Sequence, residues 1–331
     1  MRIVFPMHSL ERGGGCRVVV EAANGLAARG HHVLVAIPQG APICWPLHAE
    51  VHRVPRLAAE FIPRADVVLP TFYTTVPVAI ATRRPLIRLC LGFEPMWVPD
   101  PQTALASYRV ARPIITISAW LQEILLTRVG RRSHQVHPGV DRAAFYPRGN
   151  KGQYGHPTIA FLLRGPGYTW KGTSVFIQAM SLVYQQRPGI KLLIVANDEA
   201  GALDVPVPHL MLRAPGDDEY AKILSAADIF VFASLFEGFG LPPLEAMSCG
   251  TAVVCTDSGG IREYAQHGLN CLLVPPGQVD PLANAVLRLI DDQPLREALG
   301  ANGVLTAATW SWHRFYDEMH HLVTGLSGAR S

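Results

Sequence analysis

The sequence predicts an α/β protein of two doubly wound, Rossmann-like domains in tandem. Three observations predict it. Short continuous apolar runs alternate with amphipathic stretches almost throughout, the pattern of parallel strands covered by helices on both faces. The alternation breaks once, in a proline- and glycine-rich stretch between Val136 and Gly155, and then starts again. A chain of 331 residues is also more than one hydrophobic core comfortably holds.

The elements follow in order. Arg2–Pro6 is a buried first strand, and Gly13, Gly14 and Gly15 form the loop after it. Arg17–Arg29 has Val19, Ala22, Ala23 and Leu26 on one helical face, and Gly30 stops it. His32–Ile37, Asp66–Leu69, Leu86–Leu91 and Pro113–Ile117 are further strands. Ser118 is placed to cap a helix running through Thr127. The segment His137-Pro138-Gly139-Val140-Asp141, with Phe145-Tyr146-Pro147 and then Gly149, Gly152 and Gly155, is a linker, which puts a domain boundary near residue 150.

The second half repeats the alternation. Strands are expected at Thr158–Leu163, Lys191–Ala196, His209–Arg213, Ile229–Ala233, Ala252–Thr256 and Cys271–Val274. Helices are expected at Ser174–Gln186, Asp217–Ala226, from Leu241 through Met247, and at Pro281–Ile290. The domains are therefore 1–150 and 151–309, with a tail helix from Trp310 to Val323 in the remainder, 310–331. Ligands of such sheets bind beyond the carboxyl ends of the strands, so the cleft between two facing domains is the expected site.

Composition narrows the function. The chain is 49% apolar and 17% charged, which suits a globular protein, and a net charge of +3 does not predict a nucleic-acid binder. Arginines cluster at Arg83, Arg84 and Arg88 and at Arg128, Arg131 and Arg132. They are solvated surface, or a contact for anionic lipid or an anionic acceptor. Cys16, Cys44, Cys90, Cys249, Cys255 and Cys271 form no C-x-x-C pair and are expected to be reduced core residues. No secretory leader is expected, because the apolar start is six residues long. No apolar run reaches bilayer-spanning length. The expectation is a cytoplasmic protein whose membrane contact is peripheral, on the inner membrane face.

The most informative stretch is Phe236-Glu237-Gly238-Phe239-Gly240-Leu241-Pro242-Pro243-Leu244-Glu245-Ala246-Met247. It joins a strand to a helix at a carboxyl edge. Gly238 and Gly240 permit tight turns, and Pro242 suits a first helical turn. The N–H groups of Gly240 and its neighbours suit a phosphate or diphosphate. Two carboxylates beside a diphosphate would repel it, so Glu237 and Glu245 suit the neutral hydroxyls of a sugar and a ribose. Taken alone, Glu237 could equally be a surface loop residue, and Glu245 a charge favoured by the helix dipole.

The spacing of Glu237 and Glu245 within this stretch resembles the signature of retaining glycosyltransferases of family 4. Other segments resemble the same family in order. They are Gly13-Gly14-Gly15 with Arg29-Gly30-His31-His32-Val33, Pro138-Gly139-Val140-Asp141 with Phe145 and Pro147, Arg164 with Lys171-Gly172, Asp257 to Glu263, and Gly268 to Pro275. The resemblance implies the GT-B fold, with the acceptor on the first domain, the nucleotide-sugar on the second, and the C-terminal helix crossing back to the first. It implies that Arg164 and Lys171 bind the donor diphosphate and offset charge on the leaving phosphate. It implies that Glu237 orients the transferred sugar and Glu245 binds the ribose. The backbone of Gly238, Phe239, Gly240 and Leu241 would meet the phosphates or sugar, and Gly14 and Gly15 would approach the donor. The implied reaction moves a hexosyl or deoxyhexosyl group from a UDP-, GDP- or dTDP-sugar to a hydroxyl acceptor with retention. The sequence has no D-x-D, so neither a metal nor another cofactor is expected.

Two departures stand out. Many members carry a His after the strand equivalent to Leu86–Leu91, where this chain has Cys90-Leu91-Gly92-Phe93-Glu94-Pro95-Met96-Trp97. Glu94 is the nearest polar group and, with His8 near the end of the first strand, is the acceptor-side candidate. The Glu94-Pro95-Met96 segment is similar to rhamnosyltransferase-like members. Gly165-Pro166-Gly167-Tyr168-Thr169-Trp170 also makes a longer loop before Lys171 than the family's. A nucleotide-sugar epimerase or a non-catalytic sugar-nucleotide binder would share the fold. An NAD-dependent oxidoreductase would need G-x-G-x-x-G and an acidic residue after the second strand, where Pro38-Gln39-Gly40 stands.

Overall fold

The computed structural model describes residues 1–111, 113–155, 157–165, 167–196, 204–214 and 216–328. It divides into two compact units, Met1–Gly139 with Trp312–Ser331, and Val140–Ser311.

In the first unit the strands are β1 (Arg2–Pro6), β2 (His32–Pro38), β3 (Glu50–Val54), β4 (Val67–Val68), β5 (Arg88–Cys90), β6 (Ile114–Thr116) and β7 (His134–Gln135). The first four pair in the order β3-β2-β1-β4 and the last three as β5-β6-β7. Val68 N donates to Pro85 O, Ile87 N to Val68 O and Leu89 N to Pro70 O, which joins the two ladders. The order reverses between β1 and β4, so the carboxyl ends of those strands are the switch point of this sheet.

The helices of this unit are α1 (Gly14–Ala28), α2 (Thr75–Ala81), α3 (Pro101–Val110) and α4 (Ala119–Ile124). Ser118 caps α4 by accepting from Leu121 N at 3.2 Å. The helix does not run on regularly to Thr127, because Leu125–Val129 is a π-helical turn closed by Gly130 in the left-handed region. α1 starts at Gly14, three residues earlier than the apolar periodicity places it, since the glycines themselves form its first turn.

The second unit holds one parallel sheet in the order β10-β9-β8-β11-β12-β13. Its strands are β8 (Thr158–Leu163), β9 (Lys191–Ala196), β10 (His209–Arg213), β11 (Ile229–Phe232), β12 (Ala252–Thr256) and β13 (Leu272–Val274). Its helices are α5 (Thr173–Gln186), α6 (Asp217–Ala226), α7 (Leu241–Ser248), α8 (Val279–Asp291) and α9 (Gln293–Ala307); the last helix, α10 (Trp312–Gly328), belongs to the first unit. One core of side chains including Phe161, Phe176, Ile194, Val231 and Val254 fills one side of this sheet, with Phe161 and Phe176 stacked at 3.9 Å. The reversal of order falls between β8 and β11.

Several expectations need correction. The units part at Gly139 and Val140, not near 150, because the segment beyond Gly139 is tied to the second unit. Val140 N donates to Trp310 O, Ser248 Oγ to Phe145 O and Arg148 N to Ser225 Oγ. β3 carries no apolar run, since only Val54 of its five residues is buried. α9 was masked by Gly300 and Gly303. Yet a Cβ on Gly300 would stand 2.7 Å from Gly250 O, and one on Gly303 3.2 Å from the Met247 side chain, so these glycines let α9 approach α7.

Arg88 is no part of a basic surface, being 0% exposed, whereas Arg83, Arg84, Arg128 and Arg132 are exposed. All six cysteines are free, but Cys44 is exposed and Cys16 half-buried, so only the other four are core residues. Among the described residues no helix is long and apolar enough to cross a membrane.

Candidate functional site

The switch point of the second sheet gathers the residues singled out in that half. Arg164 follows the last residue of β8, and its guanidinium lies 5.1 Å from the Tyr168 ring centre. Beyond Pro166, which lies outside the described residues, the chain turns through Thr169–Lys171 into α5. Gly172 makes that turn at φ +71°, and a Cβ there would lie 2.0 Å from Ala233 O, so the loop sits directly on the end of β11. Leu235 N donates to Trp170 O at 2.8 Å, and the Trp170 and Phe236 rings stack at 6.2 Å.

This docking brings Lys171 Nζ to 2.6 Å from Glu237 Oε1, with side chains 23% and 12% exposed. The long loop that set Lys171 apart from the family pattern therefore still delivers its ammonium to the Glu237 carboxylate. Glu237 is held from the other side as well. Its N–H donates to Ser258 O at 2.7 Å, and its carbonyl accepts from Gly260 N at 3.0 Å. A Cβ on Gly260 would come within 2.1 Å of Gly238 O, so only glycine lets the two loops meet.

α7 begins at Leu241 after Gly240, whose φ of +84° is left-handed. Pro242 and Pro243 have no N–H, so the helix start offers fewer donors to a phosphate than its position suggests. Tyr264 fixes this start by donating its hydroxyl to Gly240 O. Phe239, Tyr264 and Trp310 pack ring to ring beneath it, at centroid distances of 5.4 to 6.0 Å. Trp310 is thus a packing residue, as is Trp312, which is 7% exposed. Glu245 lies half-buried in the second turn of α7.

In the first unit, Gly14 and Gly15 are exposed in the opening turn of α1, and a Cβ on Gly15 would lie 3.6 Å from Leu91. His8 follows β1, with Nε2 2.6 Å from Thr74 Oγ1 and its ring edge-on to Phe72. The ring reaches solvent, but the protein around it lowers its pKa by desolvation and favours neutral imidazole.

Glu94 is not an acceptor-facing carboxylate, and the structure corrects that expectation. It is 3% exposed, accepts from Arg88 Nη2 at 2.9 and 3.1 Å, and is bonded by the Tyr108 hydroxyl. Arg88 also donates to Ser107 Oγ at 2.7 Å and lies 3.5 Å from the Tyr108 ring centre. The Tyr108 hydroxyl oxygen also lies 2.7 Å from Gly92 O, so the group braces the loop after β5. Sequence reasoning missed this brace because Arg88 looked like one of a surface cluster. It also missed Tyr264, whose only signal was its place one residue after the turn containing Glu263.

Comparison with known proteins adds to this geometry. A family model described as glycosyl transferases group 1 matches residues 156–305. The chain is 34% identical over 194 residues to a D-inositol 3-phosphate glycosyltransferase of Pseudarthrobacter chlorophenolicus, covering 54% of this chain and 46% of that protein. It is 30% identical over 246 residues to an MMP alpha-(1->4)-mannosyltransferase of Mycolicibacterium hassiacum, covering 70% of this chain and 56% of that protein. The chain thus spans about half the length of these curated relatives.

Among solved structures it is similar to sucrose-phosphate synthase from Thermosynechococcus elongatus, with a TM-score of 0.83, 20% identity and 99% of both chains covered. It is also similar to Anabaena Alr3699/HepE in complex with UDP-glucose, with a TM-score of 0.80, 20% identity, and 98% of this chain and 100% of that one covered. The fold is GT-B, and residues 156–305 match the family described as glycosyl transferases group 1.

Proposed function

We propose that the chain is a glycosyltransferase that moves a hexosyl or deoxyhexosyl group from a nucleoside-diphosphate sugar to a hydroxyl acceptor. The observation that carries this is the meeting of Lys171 and Glu237 at the carboxyl ends of β8 and β11, with Arg164 and Glu245 on the same edge. A diphosphate needs cations, and a carboxylate accepts hydrogen bonds from the hydroxyls of a sugar. That the Anabaena neighbour was solved with UDP-glucose supports the donor class.

The proposed chemistry uses the pair as a unit. Glu237 holds the Lys171 ammonium. The donor diphosphate competes for that ammonium, which frees Glu237 to accept from the sugar hydroxyls. Arg164 and Lys171 then face the negative charge that grows on the departing phosphate, where preorganised cations lower the barrier. The acceptor hydroxyl attacks from the face the nucleotide leaves, a phosphate oxygen takes its proton, and configuration is retained. No metal enters this scheme. The first unit supplies the acceptor site, and Arg83, Arg84, Arg128 and Arg132 are its candidates for peripheral contact with an anionic membrane.

The test is release of nucleoside diphosphate from a panel of UDP-, GDP- and dTDP-sugars with mixed hydroxyl acceptors, in wild type and Glu237→Ala. Turnover in the wild type with loss in the variant is expected. Full turnover in the variant would refute the assignment.

A further inference from the structure

One polar group of the second unit has no use in the scheme above. Tyr220 lies on α6, which packs on α7, and is 9% exposed. Its hydroxyl oxygen is closed off from solvent and, among the described residues, has no hydrogen-bond partner. Leaving a phenol unsatisfied in a packed interior costs stability, and phenylalanine would fill the same space without that cost.

The surroundings of the ring are well defined. Phe145 meets it edge-on at a centroid distance of 6.0 Å, and Phe145 is itself tied to α7 through its carbonyl and Ser248 Oγ at 2.7 Å. The next residue on α6, Ala221, accepts from Cys249 Sγ, and Cys249 N bonds back to Glu245 O at 3.1 Å. The segment of α6 that carries Tyr220 thus packs against the turn of α7 that runs from Glu245 to Cys249. Burial pushes its phenol well above the ordinary value; the Glu245 carboxylate is the next contributor, and Arg164 opposes both. A guanidinium accepts no hydrogen bond, so of these two ionic neighbours only Glu245 can accept one from the phenol.

We propose that Tyr220 is a positioning residue for donor binding: when a nucleoside diphosphate occupies the carboxyl edge, the Tyr220 hydroxyl donates to the Glu245 carboxylate and fixes it toward the ribose diol. The inference rests on the donor-site reading. The bond forms when the diphosphate draws Arg164 toward itself. A phenol bonded to one carboxylate oxygen leaves the other to accept from the ribose.

Tyr220→Phe removes the hydroxyl alone and separates this role from a structural one. Calorimetry on the full chain would use UDP, GDP and ADP, each beside its 2′,3′-dideoxy counterpart. The ribonucleotide that binds wild type should bind the variant about tenfold or more weakly, the loss expected for one hydrogen bond to a charged group. Its dideoxy counterpart should bind both proteins equally. The melting temperature of the ligand-free variant should equal or exceed that of wild type, because an unsatisfied group has been removed. Equal ribonucleotide affinity in the two proteins overturns the proposal while leaving the donor site standing. So does an equal loss on the dideoxy compound, or a ligand-free variant that melts lower. If wild type binds none of the three ribonucleotides, the donor-site reading fails and this inference falls with it.

Discussion

Each unit of this protein carries a cation–carboxylate pair at the carboxyl edge of a doubly wound sheet, and the two pairs do opposite work. In the first unit Arg88 and Glu94 are 0% and 4% exposed at their side chains, and Ser107 and Tyr108 add further hydrogen bonds to them. In the second unit Lys171 and Glu237 are 23% and 12% exposed and join two loops whose backbones are pinned by neighbouring turns. A sealed, multiply bonded pair acts as a brace. An open pair between preorganised loops can exchange partners. The difference is one of burial and bonding, not residue type, so the sequence alone could not tell the brace from the site.

The largest expected effect is on stability, and in the first unit only. Removing one partner of a buried pair strands the other, so Glu94→Ala should lose about 3–5 kcal/mol in urea unfolding. Lys171→Ala should shift the same measurement by about 1 kcal/mol or less, since its partner can reach water. Comparable losses at the two sites would erase the contrast.

Activity should show the reverse. Glu237→Ala should slow transfer about 100-fold or more with an unchanged circular dichroism spectrum, the scale seen when one preorganised group is removed from an active site. The double exchange Arg88→Met with Glu94→Leu should keep transfer within about tenfold, because apolar side chains can replace a buried pair that only braces. Loss of transfer there as great as in Glu237→Ala would make the first pair functional as well.

Much of this was legible before any coordinates. The strands of the second unit are apolar runs bounded by turn residues, and most begin and end within a residue of where the sequence places them. Arg164, Lys171, Glu237 and Glu245 were found by motif, and all four lie at one sheet edge. Legibility failed where tertiary contact overrides local pattern. β3 has one buried residue, α9 hides behind glycines that serve its approach to α7, and Arg88 looks like its exposed neighbours Arg83 and Arg84. Glu94 was misjudged for the same reason, because its partners lie 6 and 14 residues away on other elements.

A smaller effect would sharpen the view that the open pair depends on its pinned loops. Gly260→Ala forces a Cβ to within 2.1 Å of Gly238 O, so the loop carrying Glu237 must shift. Transfer should fall about tenfold or more, with a stability loss of about 1–3 kcal/mol. Wild-type kinetics in that variant would show that Glu237 needs no such support.

The smallest effect concerns an exposed pair in the second unit. The hydrogen bond from Lys222, with Arg148 also nearby, holds the Asp218 carboxyl below its ordinary 3.8. A depressed carboxylate stabilises the fold above its unfolded pKa, and that contribution fades as pH falls through the folded value. The stability difference between wild type and Asp218→Asn should therefore be slight at neutral pH, constant down to about pH 4, and vanish at lower pH. A difference that grows as the solution is acidified would contradict the sign.

The central claim, that the carboxyl edge of β8 and β11 is the donor site, is tested most directly by hydrogen exchange with and without a saturating nucleoside diphosphate. Protection of the backbone is expected in segments 167–172 and 235–245, with no change in segment 88–97. Protection confined to the first unit, by a nucleotide that demonstrably binds, would contradict it.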